Sequence, residues 1–582
     1  MTPHPERGTR PVRIANCSGF FGDRLSAARE MVDGGPIDVL TGDWLAELTM
    51  LILHKGRRRN PEGGFASTFI AQMEQVLGAC LERGIRVVTN AGGLNPAGCA
   101  QAVRDVASRL GLRVGVAHLE GDDLMDRIEA LRPGLTHLDT GRPLIAEVAT
   151  ANAYLGGFGI AAALDAGAQV VVCPRVTDAA LVLGPAAWWW GWSPDELDAL
   201  AGAVVAGHVI ECGAQATGGN YAFFTEVPDL GRPPGFPIAE VHRDGSSLIT
   251  KHPGTGGLVE VGTVTAQLLY EIGEVHYANP DVVARFDTVN IAPHGPDRVR
   301  LWGTRGEPPP DSTKVSITLE GGFRNRMTFV LTGLEQEAKA RWVTDALFSR
   351  LGGRERFDEV DVRFVPAPFD APTQEQASGR LHVHVKSRDD RLVGRAFSAA
   401  CVELGLSNYP GFFATSPPGD AQAYGEFWPA LVHQDIVEQR VILDDGRHLA
   451  VAPPDPQTPL RTPVVAPPDP DLPAAGPQVG EPMGLLFGAR SGDKGGNANL
   501  GVWARDDAGY RWLIEHLTPA MVHRLLPETA ELEVVRSTFP HLRAVNFVIR
   551  GLLGAGVASS TAFDPQAKGL GEYLRSRPWP GD

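Results

Sequence analysis

The sequence predicts an α/β protein with a parallel-sheet N-terminal region, an α+β middle region and a small C-terminal α/β sandwich. Three observations lead to this prediction. Short apolar runs alternate with helical segments in the first part of the chain. Near Gly235 the pattern changes to segments in which apolar and polar residues alternate. Finally, 11 of the 30 residues from Pro453 to Pro482 are proline, which is typical of an extended linker.

The N-terminal region repeats one motif, in which an apolar strand is followed by a turn and by a helix that stops at glycine. This order is typical of parallel βαβ units, and the uniformly apolar strands fit a sheet covered on both faces. We therefore predict a Rossmann-like region. Its strands are predicted at Val12–Asn16, Ile37–Thr41, Ile85–Thr89, Arg113–His118 and Gln169–Cys173, and its helices at Arg24–Asp33, Phe65–Arg83, Pro96–Leu110 and Gly156–Ala166.

Four segments follow from these changes in pattern: a parallel α/β domain over 12–234, an α+β region over 235–452, a linker over 453–482 and a small domain over 483–582. Antiparallel strands are predicted in the second segment at Val259–Gly262, Lys314–Leu319 and Leu381–Lys386. The last segment is predicted to contain strands Met483–Ala489, Asn499–Trp503 and Val545–Ile549 and helices Tyr510–His516 and Pro519–Leu525.

Composition excludes several classes of function. The 582 residues carry a net charge of −16 and a mean hydropathy of −0.09, and no apolar run is long enough to span a membrane. Nucleic-acid binding is not expected, because the one dense basic run, Lys55–Arg59, is either a solvated loop or a patch for an anionic ligand. Six cysteines without a CxxC pair, and no apolar signal segment, indicate a cytoplasmic protein with reduced thiols.

No metal site is predicted. His382 and His384 alternate on a predicted strand, a geometry that could bind a metal, but no acidic motif accompanies them.

Five glycine-rich turns are candidate ligand-binding segments, because glycine lets backbone N–H groups approach an anion. None matches the G-x-G-x-x-G or the G-x-x-x-x-G-K-[ST] motif, so a nicotinamide or nucleoside-triphosphate site is not indicated. Any single turn can be only a turn, but together they favour a composite pocket. The substrate-binding candidates in these turns are Ser18, Gly19, Asn90, Gly92, Gly93, Gly218, Gly219, Asn220, Thr255, Gly256, Arg490, Ser491 and Asn497.

The catalytic candidates are carboxylates and a lysine. Asp178 follows a buried strand, with Arg175 and Thr177 beside it as substrate-binding candidates, and a strand end holds an acid–base group rigidly. The alternative is that Thr177 or Asp178 caps the next helix. Asp43 is a second proton-transfer candidate.

Within the densest turn, Arg490–Asn497, Lys494 is predicted to meet a phosphate or carboxylate, and Asp493 to act as a base or as the partner of that lysine. A self-paired Asp–Lys hairpin is the alternative there. Cys212 is either a nucleophile or a buried inert thiol, and His252 beside Lys251 is either an acid or a structural residue.

The WWWGW run, Trp188–Trp192, closes a predicted helix. These residues either pack in the core or at a subunit interface, or they form the wall of a site for an apolar ligand. They are also the basis for expecting a homo-oligomer.

Several long motifs resemble the acyclic terpene utilisation proteins of the AtuA type. They are Arg13–Asp23, Leu40–Met50, Thr89–Gly93 and Pro174–Ala180, and Ala489–Asn499 resembles the small C-terminal domain that accompanies that family. The resemblance implies a place in the breakdown of acyclic terpenoid or branched-chain acids as coenzyme A thioesters.

On this basis we expect an acyl-CoA hydratase or lyase that works by acid–base chemistry. Coenzyme A would be part of the substrate and no separate cofactor is expected. A non-catalytic binding or assembly subunit of such a degradation complex is the alternative, and a hydrolase that uses Cys212 is a third.

Overall fold

The computed structural model describes residues 6–453 and 473–581. They form two compact units. The first comprises the described residues of Met1–Thr318, Phe427–Val557 and Asp564–Asp582, and the second comprises Leu319–Glu426 and Ala558–Phe563. Most of the predicted proline-rich linker, residues 454–472, lies outside the described residues.

The strands of the described residues are β1 (Val12–Asn16), β2 (Val39–Gly42), β3 (Arg86–Thr89), β4 (Val116–Glu120), β5 (Val148–Ala153), β6 (Val170–Val172), β7 (Pro237–Val241), β8 (Ser247–Lys251), β9 (His276–Ala278), β10 (Val283–Arg285), β11 (Asn290–Gly295), β12 (Arg298–Trp302), β13 (Arg305–Glu307), β14 (Ser312–Thr332), β15 (Glu359–Val365), β16 (Ser378–Ser387), β17 (Phe413–Ala414), β18 (Gln422–His433), β19 (Arg440–Ile442), β20 (His448–Ala450), β21 (Gly488–Lys494), β22 (Asn497–Trp503), β23 (Val534–Phe539) and β24 (Ala544–Ile549).

The α-helices are α1 (Ala27–Asp33), α2 (Glu47–Arg59), α3 (Ser67–Arg83), α4 (Pro96–Arg109), α5 (Ile128–Leu131), α6 (Phe158–Asp165), α7 (Ala180–Trp190), α8 (Leu197–Ile210), α9 (Val261–Leu268), α10 (Gln336–Arg350), α11 (Phe397–Glu403), α12 (Asp507–His516), α13 (Pro519–Leu525) and α14 (Leu570–Ser576).

A large mixed sheet organises the first unit, with strand order β11-β12-β8-β7-β1-β2-β3-β6-β4-β19-β20. Its central strands, β1-β2-β3-β6-β4, are parallel neighbours, and strands from later in the chain extend it antiparallel on both sides. The predicted α/β class with parallel strands is confirmed. The Rossmann-like detail is not, because the order of the dinucleotide-binding fold, 3-2-1-4-5-6, does not appear here.

Helices cover both faces of the parallel strands, which explains why those strands are apolar throughout. Side chains alternate between the faces: Val39 and Val171 pack in the core under α6 to α9, whereas Leu40 and Val172 pack in the core under α1, α3 and α4. The sheet also runs across residue 234, because β7 and β8 pair next to β1. The predicted domain boundaries stay predictions.

The tryptophan run lies in the core, one of the roles left open by the sequence. Trp188, Trp189 and Trp192 are buried in the cluster under α6 to α9. The Trp189 indole N–H donates to the Arg10 carbonyl at 2.9 Å, and that of Trp192 donates to the Arg243 carbonyl at 3.0 Å. These buried rings fix the end of α7 and are not available as a docking surface for a partner.

Four local predictions were wrong, each because a short segment suits more than one element. The basic run Lys55–Arg59 belongs to α2 and not to a loop, and three arginines occupy the last turn, where the helix dipole favours cations. The predicted strand Val259–Gly262 is instead a helix start, with Glu260 forming a capping box with Thr263.

The predicted turn Arg490–Asn497 is a β-hairpin in which β21 and β22 pair from Gly488 to Trp503 and turn at Gly495–Gly496. The predicted strand Met483–Ala489 is therefore misplaced, since Met483–Leu485 is a single 3₁₀ turn and β21 begins at Gly488.

The C-terminal residues form a four-stranded antiparallel sheet of order β21-β22-β24-β23, packed with α12, α13 and α14 around its own core. Side chains of Asp506 and Thr518 cap α12 and α13. In the second unit, β15-β16-β14-β17 form an antiparallel sheet with α10 and α11. None of the helices in the described ranges is both long enough and apolar enough to cross a membrane.

Candidate functional site

Polar side chains gather where the parallel strands of the large sheet end. Asp43 follows β2, Asn90 follows β3, and Arg175 and Asp178 follow β6. Because β2, β3 and β6 are parallel neighbours, their carboxyl ends share one edge of the sheet. Ligands bind at this edge in open α/β sheets.

Asp43 and Asn90 are locked together. The Asn90 amide donates to Asp43 Oδ1 at 2.5 Å and accepts from the Trp44 backbone N–H at 2.8 Å. The Leu45 N–H also donates to Asp43 Oδ1, at 2.9 Å. Burial and the charge of Asp178 raise the pKa of Asp43 well above its usual value. A proton is therefore held readily on this carboxyl.

Arg175 is the central cation, and only 4% of it is exposed. Its guanidinium donates to the Leu45 carbonyl and to the Tyr154 hydroxyl, both at 2.8 Å. It also lies 3.6 Å from the Asp178 carboxylate. Burial acts to lower the pKa of Arg175, but the neighbouring Tyr154, Asp178 and Asp43 raise it overall. Arg175 thus stays charged and compensates the surrounding acids.

Asp178 is available for chemistry, because its Oδ1 is buried and has no hydrogen-bond partner among the described residues. The hydroxyl of Thr177 is likewise buried and has no hydrogen-bond partner among the described residues. Neither side chain caps α7, whose N-cap residue, Ala179, has no side-chain cap bond. The capping alternative for Pro174–Asp178 is therefore wrong.

His208 and Glu211, near the end of α8, add a buried acid–base pair. His208 Nδ1 lies 3.3 Å from Glu211 Oε1. Both ring nitrogens of His208 and Oε2 of Glu211 lack hydrogen-bond partners in the described chain. Burial, with the charge of Lys494, lowers the pKa of His208 to about 4. Burial and the charge of Asp178 raise the pKa of Glu211 well above its usual value.

The turn after β1 fits closely against the end of α8. The Asn16 side chain donates to the Glu211 carbonyl at 3.2 Å and accepts from the Ser18 N–H at 2.8 Å. A Cβ on Gly19 would lie 2.6 Å from the carbonyl carbon of Cys212, so glycine is required for this approach. Asn16 therefore holds the Glu211 backbone, while Ser18 orients the Asn16 side chain and Gly19 allows the close approach to Cys212.

Two lysines stand beside these acids. Lys314, on β14, lies 5.3 Å from the ring centre of Tyr154, and Lys494, on the β21–β22 hairpin, donates to the Glu271 carbonyl at 2.7 Å. Burial lowers the pKa of Lys314, but Tyr154 and Glu47 raise it overall. The C-terminal sheet thus delivers Lys494 to the strand ends of its own chain.

Further acids surround Lys494. Burial and the charge of Glu47 raise the pKa of Asp493 to about 7. Burial and the charge of Asp493 raise the pKa of Glu271 well above its usual value. Burial raises the pKa of Glu47 as well, but the charges of Lys314 and Arg175 outweigh it and the net shift is downward. The Asp493–Lys494 self-pair is not formed, since Lys494 bonds the Glu271 carbonyl and Asp493 lies 4.0 Å from the Lys568 ammonium.

A small cleft that opens to solvent, with a cavity volume of about 30 Å³, lies beside Tyr154. Leu155, Phe158, Val437 and Val451 supply apolar walls. Because Tyr154 also bonds Arg175, the cleft adjoins the buried charges on one side of that ring.

Asp122, which follows β4, makes stability depend on pH. It accepts from the Asn152 amide at 2.7 Å, and burial raises the pKa of Asp122 from 3.8 to about 7. The folded state therefore binds this proton more tightly than the unfolded state. The stabilisation from protonated Asp122 is complete below pH 3.8 and is lost as the pH rises to about 7.

We expect Asp122→Asn to change the slope of the free energy of unfolding against pH in this range by up to about 1.4 kcal/mol per pH unit. Urea unfolding of both proteins across this pH range measures it. Asp126→Asn, at an exposed position, is the control and should keep the wild-type slope. Equal slopes for wild type and Asp122→Asn would contradict the assignment.

Other residues that were predicted to bind substrate instead stabilise the turns in which they lie. Gly92 donates to the Cys173 carbonyl at 3.1 Å, and Gly93 has φ +51°. Gly218, Gly219 and exposed Asn220 belong to a turn whose neighbour Thr217 accepts from Leu258 at 2.8 Å. The backbone N–H groups of Gly218 and Gly219 donate within the turn, to the carbonyls of Gln215 and Ala214.

Thr255 and Gly256 also lie in the loop after β8, where the Thr255 hydroxyl donates to the His252 carbonyl at 2.7 Å and the Gly256 carbonyl accepts from Gly235 at 2.9 Å. On the hairpin, Arg490 bonds Gln215, Ser491 accepts from Gly571 at 2.8 Å, and Asn497 donates to Asp139 at 3.0 Å. These contacts hold the C-terminal sheet in place.

The remaining candidates have structural surroundings. Burial and the charge of Glu211 raise the pKa of the Cys212 thiol well above its usual value, which disfavours a nucleophilic thiolate. Buried His252 lies 2.9 Å from the Met31 carbonyl. His382, on β16, bonds Thr328 at 3.0 Å. No group of three or more His, Cys, Asp or Glu side chains in the described ranges is arranged to hold a metal ion.

Several members of the site carried too little local signal to be chosen from the sequence. His208 and Glu211 could have been found from their i, i+3 spacing at the end of a small-residue helix. Lys314 and Tyr277 lie on strands and Glu271 lies in a loop, all far along the chain, and only folding brings them together with the strand-end residues.

Comparison with known proteins agrees with this architecture. The family model described as "Acyclic terpene utilisation family protein AtuA" matches residues 12–443, and the AtuA ferredoxin-like domain matches residues 484–579. No curated protein matches the chain. Since the first match covers most of the sequence and the second covers the C-terminal sheet, the chain belongs to the AtuA family of acyclic terpene utilisation proteins.

Proposed function

We propose that this protein is a hydro-lyase that adds water to, or removes it from, a branched acyl-CoA thioester in acyclic terpenoid or branched-acid breakdown. One observation carries the proposal: buried side-chain atoms of Asp178, His208 and Glu211 lack hydrogen-bond partners within the described chain. Unpaired buried polar atoms are costly, and they cluster at sites built for another molecule.

Hydration of an α,β-unsaturated thioester needs three actions. A base takes a proton from water while the oxygen bonds to the β-carbon, cations stabilise the negative charge that develops on the thioester oxygen, and an acid protonates the α-carbon. Cationic side chains that are already in place in a buried site stabilise this developing negative charge effectively. Arg175 and Lys314 supply it beside the acids.

The shifted pKa values suit these roles. A raised pKa favours the protonated form of Glu211, which can donate, and a lowered pKa keeps His208 neutral, so that it can accept. Asp178 is a second candidate base. Asp43, whose Oδ1 is held by Asn90, positions this edge of the site.

In this proposal the hydrocarbon part of the substrate enters at the cleft beside Tyr154, whose wall includes Leu155, Phe158 and Val437. The bond from the Arg175 guanidinium to the Tyr154 hydroxyl connects that cleft with the charged groups. An apolar tail and a polar reacting carbonyl are the two ends of an acyl thioester.

The test is turnover. Purified protein is incubated with panels of branched enoyl-CoA and 3-hydroxyacyl-CoA thioesters, and gain or loss of water is followed by mass spectrometry. We expect Asp178→Asn to lower turnover by about 10²-fold or more, whereas Asp420→Asn, at an exposed position, leaves it unchanged. No turnover by folded wild-type protein on any thioester rejects the proposal and favours a non-catalytic subunit.

A further inference from the structure

The sheet of the second unit ends in a strand with an open edge. β15 (Glu359–Val365) is the terminal strand in the order β15-β16-β14-β17, and its one partner within the described ranges is β16. Among the described residues, no backbone group of β15 bonds to any other segment. An edge strand presents a row of N–H and C=O groups that point away from its sheet, so this side of β15 can take a further strand.

The two faces of β15 differ in chemistry. Val360, Val362 and Phe364 are partly buried and pack against the core of this unit, which α10 and α11 cover. Because side chains alternate along a strand, Asp361 and Arg363 lie on the opposite face, where they form an ion pair at 3.1 Å. A strand that pairs with this edge must therefore match an apolar face and a charged face.

β15 is complementary to itself in antiparallel pairing. When Val362 lies opposite Val362 of a second copy, Asp361 of each chain faces Arg363 of the other, and Phe364 faces Val360. Pairs of opposite charge and pairs of an aromatic with a β-branched residue are both favourable across strands. Centring the pairing on Asp361 or on Arg363 would instead place like charges opposite each other. Charge therefore selects the register centred on Val362.

A second copy of the chain fits this edge better than an unrelated strand does. Charged side chains protect an edge strand, because they are left unmatched when a different strand approaches. A second copy brings both matching charges in the required positions, and two-fold symmetry forms each contact between Asp361 and Arg363 twice. The charge pattern that disfavours other strands thus favours self-association.

We propose that two copies of this chain dimerise through β15, in antiparallel pairing centred on Val362. A two-fold axis perpendicular to the sheet relates the copies and joins their two sheets into one continuous sheet. Main-chain hydrogen bonds across the new pair supply affinity, and the side chains on the two faces fix the register. The dimer is independent of the proposed function, since it involves no residue placed in the candidate site.

Light scattering on the full-length protein tests the dimer, whose mass would be twice 62.2 kDa. Asp361→Arg places like charges opposite each other at two symmetric positions, and we expect the dissociation constant to rise by about tenfold or more. Adding Arg363→Asp exchanges the two charges and should restore the dimer. Asp345→Arg, at an exposed position on α10, is the matched control and should leave the dimer intact.

Disulfide formation tests the register without changing a charge. Val362→Cys places each thiol opposite its own copy, with the Cα atoms about 4.5–5.5 Å apart, which a disulfide can span. Val365→Cys is the control, because its two copies would lie about 20 Å apart in this register. The native cysteines give a low background, since all but Cys212 are buried. We expect at least about tenfold more covalent dimer on a non-reducing gel with Val362→Cys than with the control.

Three results would overturn the proposal: wild-type protein that is monomeric at high micromolar concentration, a dimer that Asp361→Arg leaves intact, or crosslinking of Val365→Cys in place of Val362→Cys. Circular dichroism checks that each variant is folded. If Asp361→Arg does not fold, crosslinking of Val362→Cys in the otherwise wild-type chain decides between the dimer and its absence.

Discussion

Replacing Glu211 with glutamine is expected to lower kcat for the proposed hydration by about 10²–10⁴-fold while leaving the free energy of unfolding unchanged or higher. The carboxyl is buried, its Oε2 has no hydrogen-bond partner within the described residues, and its pKa is raised well above the usual value by burial and by Asp178. Such a group opposes folding when it ionises. An amide of the same shape cannot ionise or donate the proton.

Steady-state kinetics and urea unfolding at neutral pH measure the two effects. Glu531→Gln, at an exposed position, is the matched control and should alter neither. The two readouts separate the roles, because a purely structural Glu211 would lose stability and activity together. Full activity in Glu211→Gln would remove it from the proposed chemistry.

Arg175→Met should lower the free energy of unfolding by about 3–5 kcal/mol, the usual cost of breaking a buried charge pair from one side. The guanidinium bonds the Leu45 carbonyl and the Tyr154 hydroxyl and lies beside Asp178. Methionine fills similar volume but leaves the Asp178 carboxylate without the guanidinium that lies 3.6 Å from it. The uncompensated charge, rather than lost packing, is then the main cost.

Chemical unfolding of the variant measures this loss, with Arg29→Met at an exposed helix position as the control. Adding Asp178→Asn to Arg175→Met should recover part of the stability, because the double variant removes the carboxylate that has lost its guanidinium partner. An unchanged free energy of unfolding in Arg175→Met, or no recovery in the double variant, would show that Arg175 does not compensate this acid.

The fold class followed from the sequence because parallel strands and amphipathic helices carry their own periodicity. The strand Val12–Asn16 and the helix Pro519–Leu525 have the predicted bounds. Predictions failed where a segment lacked a distinctive period: the residues after Gly257 form a helix start, and the glycine-rich Arg490–Asn497 segment is a hairpin. Pairing partners decide such segments, and those partners are distant in the chain.

The candidate site divides in the same way. Asp43, Asn90, Arg175 and Asp178 were predicted because each follows a recognisable strand, and the structure places them at one edge. Lys494 was chosen for its turn chemistry, whereas its contact with the Glu271 carbonyl depends on how the C-terminal sheet packs.

The sequence by itself determined that this chain has a parallel α/β sheet with acidic, amide and basic residues at its strand ends. Hydrophobic periodicity and turn preference depend only on residues that are close in the chain. Only the tertiary structure decided that His208, Glu211, Lys314 and Lys494 share one buried environment. The physical reason is that burial and mutual charge, which set the pKa of each group, exist only when segments far apart in the chain exclude water together.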